Sequence, residues 1–138
     1  MGYFEKMRGR TTSPPRVGRN EIIWSWVGSF IGIAAVGLLH AHVLDPKGML
    51  LIIGSFGATA VLIYGAVRSP LAQPRNLIGG HVLSAVIGVT AAKWLGHHPW
   101  LAAALAVSTA IAVMHMTKTL HPPGGATALI AVIGGDAV

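Results

Sequence analysis

The feature that most constrains this chain is an apolar run, residues 22–44, whose only ionisable side chains are two histidines at its far end. About 20 apolar residues in a helix are enough to cross the hydrocarbon core of a membrane. Only 10% of the residues are charged, against roughly 25% in an ordinary soluble domain, and a short soluble chain must expose much of its surface to water. The run therefore predicts a membrane-spanning helix.

Further apolar segments follow the first one. Residues 49–67, 77–95 and 100–117 are each long enough to cross a bilayer, whereas residues 126–133 are too short to cross it alone. These lengths predict an all-α membrane protein with about four transmembrane helices and a C-terminal re-entrant half-helix.

The basic residues lie mostly on one side of this topology. We interpret residues 1–20 as a basic cytoplasmic tail and residues 21–138 as the transmembrane domain. Of the ten Lys and Arg residues, only Lys47 and Lys93 then lie outside, as the positive-inside rule requires. The formal net charge of +6 therefore indicates membrane orientation, and we expect the lipid bilayer, not nucleic acid, as its partner. The chain has no cysteine, which excludes disulfides and thiolate metal sites.

The tetrapeptide Gly-Ala-Thr-Ala occurs at residues 57–60 and again at residues 125–128. On the predicted topology the two copies run in opposite directions across the membrane. Inverted repeats whose interrupted helices meet near the midplane are a recurrent transporter architecture. We therefore predict an inverted repeat, with a broken or kinked helix at residues 54–57. Close helix packing is the alternative explanation for the glycine-rich segments.

The second copy has the chemistry of an anion site. A helix N-terminus offers free N–H groups and a positive dipole end, and Gly124 and Gly125 would let a ligand approach the backbone. Thr127 would add a hydroxyl donor, and Gly57 and Thr59 are the equivalent residues in the first copy. No Asp or Glu lies between positions 46 and 135, although a cation carrier would need an acidic group inside the membrane.

Three further candidates lie near the predicted inner face. His115 could titrate near neutral pH and couple a proton to anion movement, or simply bond a neighbouring helix carbonyl. Lys118 could attract an anion or only set the topology. We add His121, which precedes the second glycine pair, to the substrate-binding candidates. The histidines could bind a transition metal, but interfacial imidazoles explain them better. We expect no metal, no cofactor and no enzymatic activity.

Residues 54–61, 69–81 and 121–129 (GSFGATAV, SPLAQPRNLIGGH and HPPGGATAL) resemble the HPP family of integral membrane proteins. The resemblance implies a bundle of transmembrane helices in a bacterial inner membrane or a plant plastid envelope. Some plant and cyanobacterial members are associated with nitrite transport. Similar proteins continue past residues 134–138 into another hydrophobic span, which predicts that this chain is a truncated form.

These observations lead to one functional hypothesis and one alternative. The hypothesis is transport of a small inorganic anion, with nitrite as the first candidate, across a bacterial inner membrane. Because three or four spans are too few to enclose a pore, we expect a homo-oligomer. The alternative is a non-transporting membrane scaffold or regulatory subunit, in which the glycine-rich segments serve helix packing and partner docking.

Overall fold

The computed structural model describes residues 16–44 and 54–134, and all regular structure within them is helical. Helix α1 is continued by a π-helical turn, and so is the short helix α2. A 3-10 turn, Pro70–Ala72, then leads into three consecutive helices. The bounds are α1 Arg19–Leu39 with its π turn His40–Leu44, α2 Gly54–Ala60 with its π turn Val61–Gly65, α3 Pro74–Leu95, α4 Pro99–Thr117 and α5 Pro122–Ile133.

Among the described residues, three helical segments are long and apolar enough to cross a membrane: Arg19–Val43, Pro74–Leu95 and Pro99–Thr117. Two shorter apolar helices, Gly54–Gly65 and Pro122–Ile133, accompany them. The second of these has 12 residues and measures about 18 Å, against a hydrocarbon core of about 30 Å. The prediction of an all-α membrane protein with a C-terminal half-helix is confirmed. The first part of the predicted second span, residues 49–53, lies outside the described residues.

The helix boundaries follow from local chemistry. Helices α3, α4 and α5 each begin at a proline, whose fixed φ suits the first turn and whose missing N–H has no partner to lose there. Helix α4 ends where Lys118 adopts a left-handed conformation, with φ 56° and ψ 39°. The next amide, that of Thr119, then donates to the Met114 carbonyl over 2.9 Å, which satisfies a carbonyl that the helix end would leave free.

Helices α3, α4 and α5 form the packed part of the molecule, and small residues repeated every fourth position let their backbones approach closely. Residues with this spacing lie on one face of a helix, and small side chains there are typical of membrane helix interfaces. Helix α5 adds Ala128 to the core formed by α4. The buried stripes are Gly80, Ser84 and Gly88 on α3, and Ala102, Ala106, Ala110 and Met114 on α4.

Helix α1 packs differently, because it has no buried residue. Its contact with the rest of the bundle centres on Tyr64, whose ring lies against Gly28 and Gly32 and whose carbonyl accepts a hydrogen bond from Ser25 over 2.6 Å. Large apolar side chains elsewhere on α1, such as Trp24 at 72% exposure, are not covered by the described part of the chain. Such a surface is stable in lipid and unstable in water.

The loop before α3 and the loop after α4 lie together at one end of the bundle, which we call the basic end. The Arg75 side chain donates to the Thr117 carbonyl and the Asn76 side chain to the Leu120 carbonyl, each over 2.8 Å. The start of α1 reaches the same end, where Arg16 and Arg68 line one groove. The basic end therefore carries Arg16, Arg19, Arg68, Arg75 and Lys118, whereas Lys93 lies in the last turn of α3 at the opposite end.

Candidate functional site

The imidazole of His81 on α3 lies between the two threonines of the repeated tetrapeptide. Its Nε2 is 2.8 Å from the Thr59 hydroxyl on α2, and its Nδ1 is 2.7 Å from the Thr127 hydroxyl on α5. The equivalent residues of the two copies thus bond the two nitrogens of one ring. Three helices that are distant in sequence meet at this single side chain.

A second imidazole extends the cluster. His121, which precedes α5 and is fully buried, places Nε2 3.1 Å from the same Thr59 hydroxyl and Nδ1 2.8 Å from the Leu71 carbonyl. The rings of His81 and His121 pack edge to face with centroids 5.1 Å apart. We call Thr59, His81, His121 and Thr127 the histidine-threonine cluster.

The cluster lies nearer to one end of the bundle than to the other. Its members on α2, α3 and α5 are five to seven residues from the helix termini at the basic end, which corresponds to about 8 to 10 Å at 1.5 Å per residue. The midplane of a hydrocarbon core is about 15 Å deep. Measured along the helices, the two copies therefore meet nearer to the basic end than to the opposite end.

The surroundings of the cluster contain hydroxyl groups and no carboxylate. Within residues 16–44 and 54–134, Glu21 is the one acidic residue, and it lines the groove at the basic end. One turn before Thr59, on the same face of α2, Ser55 is fully buried and its hydroxyl has no hydrogen-bond partner among the described residues. A buried hydroxyl without a partner costs about 1 to 3 kcal/mol, so Ser55 is a donor available to a ligand.

The glycines of the two tetrapeptides do not share the site with the threonines. Gly57 is exposed and Gly125 is half-buried, and a Cβ atom added at either would meet nothing within 4 Å. Each glycine precedes its threonine by two residues, so it faces about 200° away around the helix. Within the described residues the helix runs without interruption from Gly54 through Gly57 to Gly65, and the residues that precede Gly54 lie outside the described part of the chain.

The start of α5 provides fewer backbone donors than the sequence suggests. Its first two residues, Pro122 and Pro123, have no N–H group, and the amide of Gly124 donates to the His121 carbonyl over 2.8 Å. A Cβ atom at Gly124 would lie 2.9 Å from both the Gly80 carbonyl oxygen and the Ser84 hydroxyl. Gly124 therefore serves close packing of α5 on α3, the alternative named for the glycine-rich segments, and leaves no space for a ligand.

The other two predicted residues lie away from the cluster. His115 is exposed on α4. It takes part in none of the hydrogen bonds that define the cluster. Lys118 is exposed at the end of α4, where it adds positive charge to the basic end. Of the eight predicted residues, the structure brings together Thr59, His121 and Thr127.

Sequence reasoning missed His81, Ser55 and Ser84 as parts of the polar interior. An ionisable residue in a membrane span is a functional candidate by default, and that rule alone would have selected His81. Ser55 and Ser84 are ordinary residues in the sequence. Their burial depends on which face of α2 and α3 turns inward, and an apolar span shows no periodicity that reveals it.

We predict that Ser55→Ala stabilises the protein. The substitution removes a buried donor that has no partner, so the free energy of unfolding should rise by about 1 kcal/mol, whereas Thr59→Val, which breaks two hydrogen bonds, should lower it. Thermal unfolding of the two purified variants in detergent measures whether each substitution raises or lowers the stability. Destabilisation by Ser55→Ala would show that the hydroxyl has a partner after all.

The sequence comparisons agree with this architecture. A family model described as HPP, transmembrane region, matches residues 14–138. A transmembrane protein of Dictyostelium discoideum is 51% identical over 137 residues, which cover 97% of this chain and 44% of that protein. A second Dictyostelium transmembrane protein is 48% identical over 137 residues, covering 96% of this chain and 48% of its own length.

The chain thus spans less than half the length of these curated relatives. No solved structure matches it. The relatives carry no name more specific than transmembrane protein, in keeping with the apolar helices described above. Because the family model covers nearly the whole chain and the relatives are about half identical to it, the chain belongs to the HPP transmembrane family.

Proposed function

We propose that this chain forms a transport pathway for a small inorganic anion, with nitrite as the first candidate substrate. The observation that supports the proposal is the histidine-threonine cluster, in which all residues but the half-buried His81 are buried, together with the unpartnered hydroxyl of Ser55. Polar groups inside a membrane bundle are costly and usually mark a substrate or ion route. Ser55, on the same face of α2 as Thr59, would donate to the anion beside the cluster.

The chemistry of the cluster favours an anion over a cation. Hydroxyl and imidazole N–H groups donate hydrogen bonds, whereas a hard cation such as Ca²⁺ or Mg²⁺ is bound mainly by carboxylate and carbonyl oxygens. The start of α5 also directs the positive end of a helix dipole toward the cluster, although its prolines and Gly124 leave few free amides. Side-chain donors therefore replace the backbone amides that the sequence suggests.

The basic end supports the same proposal. Arg16 and Arg68 line a groove there, and Lys118 is exposed nearby at the end of α4. A positively charged surface concentrates anions near it. Anions would therefore be attracted to the basic end, which is the end nearer to the cluster. We propose that this end is cytoplasmic and that several copies of the chain assemble around the pathway. The bacterial inner membrane stays a prediction.

Nitrite uptake into proteoliposomes tests the proposal. We expect vesicles that contain the protein to accumulate nitrite faster than empty vesicles at neutral pH, where membrane-permeant nitrous acid is scarce. Thr127→Val keeps the side-chain volume but removes the hydroxyl beside His81. We expect it to lower the protein-dependent rate about tenfold, which corresponds to about 1.4 kcal/mol and to one hydrogen bond.

The matched control is Thr90→Val on α3. Thr90 is exposed and its hydroxyl donates to the Val86 carbonyl within its own helix, so its removal should leave the rate unchanged. Equal rates in full and empty vesicles, with the protein still folded, would contradict the proposal and favour the scaffold alternative. Equal losses in the two valine variants would show that the cluster has no specific role.

A further inference from the structure

The hydrogen-bond partners within the cluster determine where its protons lie. A neutral imidazole has one N–H donor and one acceptor nitrogen, and a hydroxyl donates only once. The Leu71 carbonyl can only accept, so Nδ1 of His121 carries a hydrogen. Nε2 of a neutral His121 must then accept, and the Thr59 hydroxyl is its donor.

The positions of the remaining protons follow from that of His121. The Thr59 oxygen, having given its one hydrogen to His121, accepts from Nε2–H of His81. Nδ1 of a neutral His81 is then an acceptor, and the Thr127 hydroxyl donates to it over 2.7 Å. In this neutral state every polar group of the cluster has a partner, and all four bonds point in one direction, from Thr127 to the Leu71 carbonyl.

An additional proton on His81 also leaves every group satisfied. Nδ1–H of His81 would then donate to the Thr127 oxygen, and the Thr127 hydroxyl would turn to the Pro123 carbonyl, which lies 3.3 Å away. Only one hydroxyl reverses. The positive charge has no acidic neighbour, since His121 is the one titratable side chain in hydrogen-bond or ring contact with the Thr59–His81–Thr127 group in the described ranges.

The proton can also move to His121 through Thr59. Nε2 of His81 gives its proton to the Thr59 oxygen, while the hydroxyl proton of Thr59 passes to Nε2 of His121. One N–H bond and one O–H bond break, and one of each forms. His81 is left neutral with its hydrogen on Nδ1, His121 becomes doubly protonated, and each nitrogen still has a partner of the right polarity.

We propose that His81 and His121 hold one shared, dissociable proton and exchange it through the hydroxyl of Thr59, as a proton relay within the membrane. In transport, a role that rests on the proposed function, the added positive charge would compensate an anion bound beside Ser55. A net charge in the hydrocarbon layer is costly, so loading one proton with one monovalent anion makes the transfer electroneutral.

Nitrogen-15 NMR of the histidine side chains tests the relay without any transport assay. The purified full chain is compared with Thr59→Val, with Thr90→Val as the control, and His81→Gln and His121→Gln assign the signals. We expect neutral His121 in the Nδ1–H form and neutral His81 in the Nε2–H form, with both rings changing over one pH range. In Thr59→Val the two rings should titrate separately. Independent titration in the unaltered protein would overturn the relay, and so would a His81 in the Nδ1–H form at high pH, where both rings are neutral.

A second experiment tests the role of the relay in transport. Proton uptake is followed with a pH-sensitive dye inside the proteoliposomes during nitrite entry. We expect one proton per nitrite, and a roughly tenfold lower proton flux in Thr59→Val than in Thr90→Val. Nitrite entry without protons would overturn the coupling and leave the proposed function standing. Absence of nitrite entry would overturn the proposed function, and the NMR titration would still decide whether the relay exists.

Discussion

Gly88→Ala should strongly destabilise the bundle, although it adds a single methyl group. The new Cβ would lie 2.6 Å from the Ala128 carbonyl oxygen and 2.7 Å from the Ala131 Cβ. These atoms belong to the backbone and the shortest side chain of α5, so neither can rotate away, and α3 and α5 must separate. Overpacking costs about 1 to 3 kcal/mol. We expect a cost near the upper limit, because the atoms that the new methyl group meets cannot move aside.

Alanine also has a higher helix propensity than glycine, which offsets about 1 kcal/mol. We therefore expect a net loss of about 2 kcal/mol and a fall in the melting temperature of about 5 to 10 °C. Thermal unfolding in detergent, followed by circular dichroism, measures it.

Gly125→Ala is the matched control for this prediction. It lies on α5, and a Cβ added there meets nothing within 4 Å, so only the gain in helix propensity remains. The control should be neutral or more stable by up to about 1 kcal/mol. If both variants unfold at the same temperature, α3 and α5 are not packed as closely as described.

His121→Leu should cause a loss of similar or larger size. The fully buried ring of His121 connects α5 to the 3-10 turn through the Leu71 carbonyl and to α2 through Thr59. Leucine would leave the half-buried Leu71 carbonyl without the hydrogen bond from His121 and would leave Thr59 bonded to His81 alone, and a polar group that loses its partner costs about 1 to 3 kcal/mol. We expect the free energy of unfolding to fall by about 3 kcal/mol, measured by the same thermal method.

Two partial replacements separate the bonds of His121. In His121→Asn the amide nitrogen takes roughly the place of Nδ1 and can still donate to Leu71, whereas in His121→Gln the amide lies near the place of Nε2 and can still bond Thr59. Both should be more stable than His121→Leu. His115→Leu on the exposed face of α4 should change stability by less than about 0.5 kcal/mol. A loss at His115 as large as at His121 would contradict the assignment.

The tetrapeptide repeat shows how far sequence reasoning reaches for the site. It identified Thr59 and Thr127 as a pair, and the two hydroxyls do meet on the two sides of one ring. It placed the glycines in the site as well, since glycine is common both at ligand-binding backbones and at close helix contacts. Gly124 belongs to the second class, and only its distance to α3 reveals that.

The histidines show where the limit lies. All seven could be sorted to one end of the bundle or the other from their positions in the spans. Which of them point inward depends on the rotation of each helix about its axis. That rotation is set by the small-residue stripes of α3, α4 and α5 packing against each other, and it turns His81 and His121 inward and His115 outward.

The sequence by itself determined that the chain is a helical membrane protein with a basic end, because the length of an apolar run and the position of charges are properties of the chain alone. The apolar runs also placed the starts of α3 and α4 within three residues of the prolines at which these helices begin. Only the tertiary structure decided that an imidazole from α3 joins two threonines from α2 and α5. Hydrogen bonds between distant segments depend on how closely helices pack, and that distance is decided by all their contacts together.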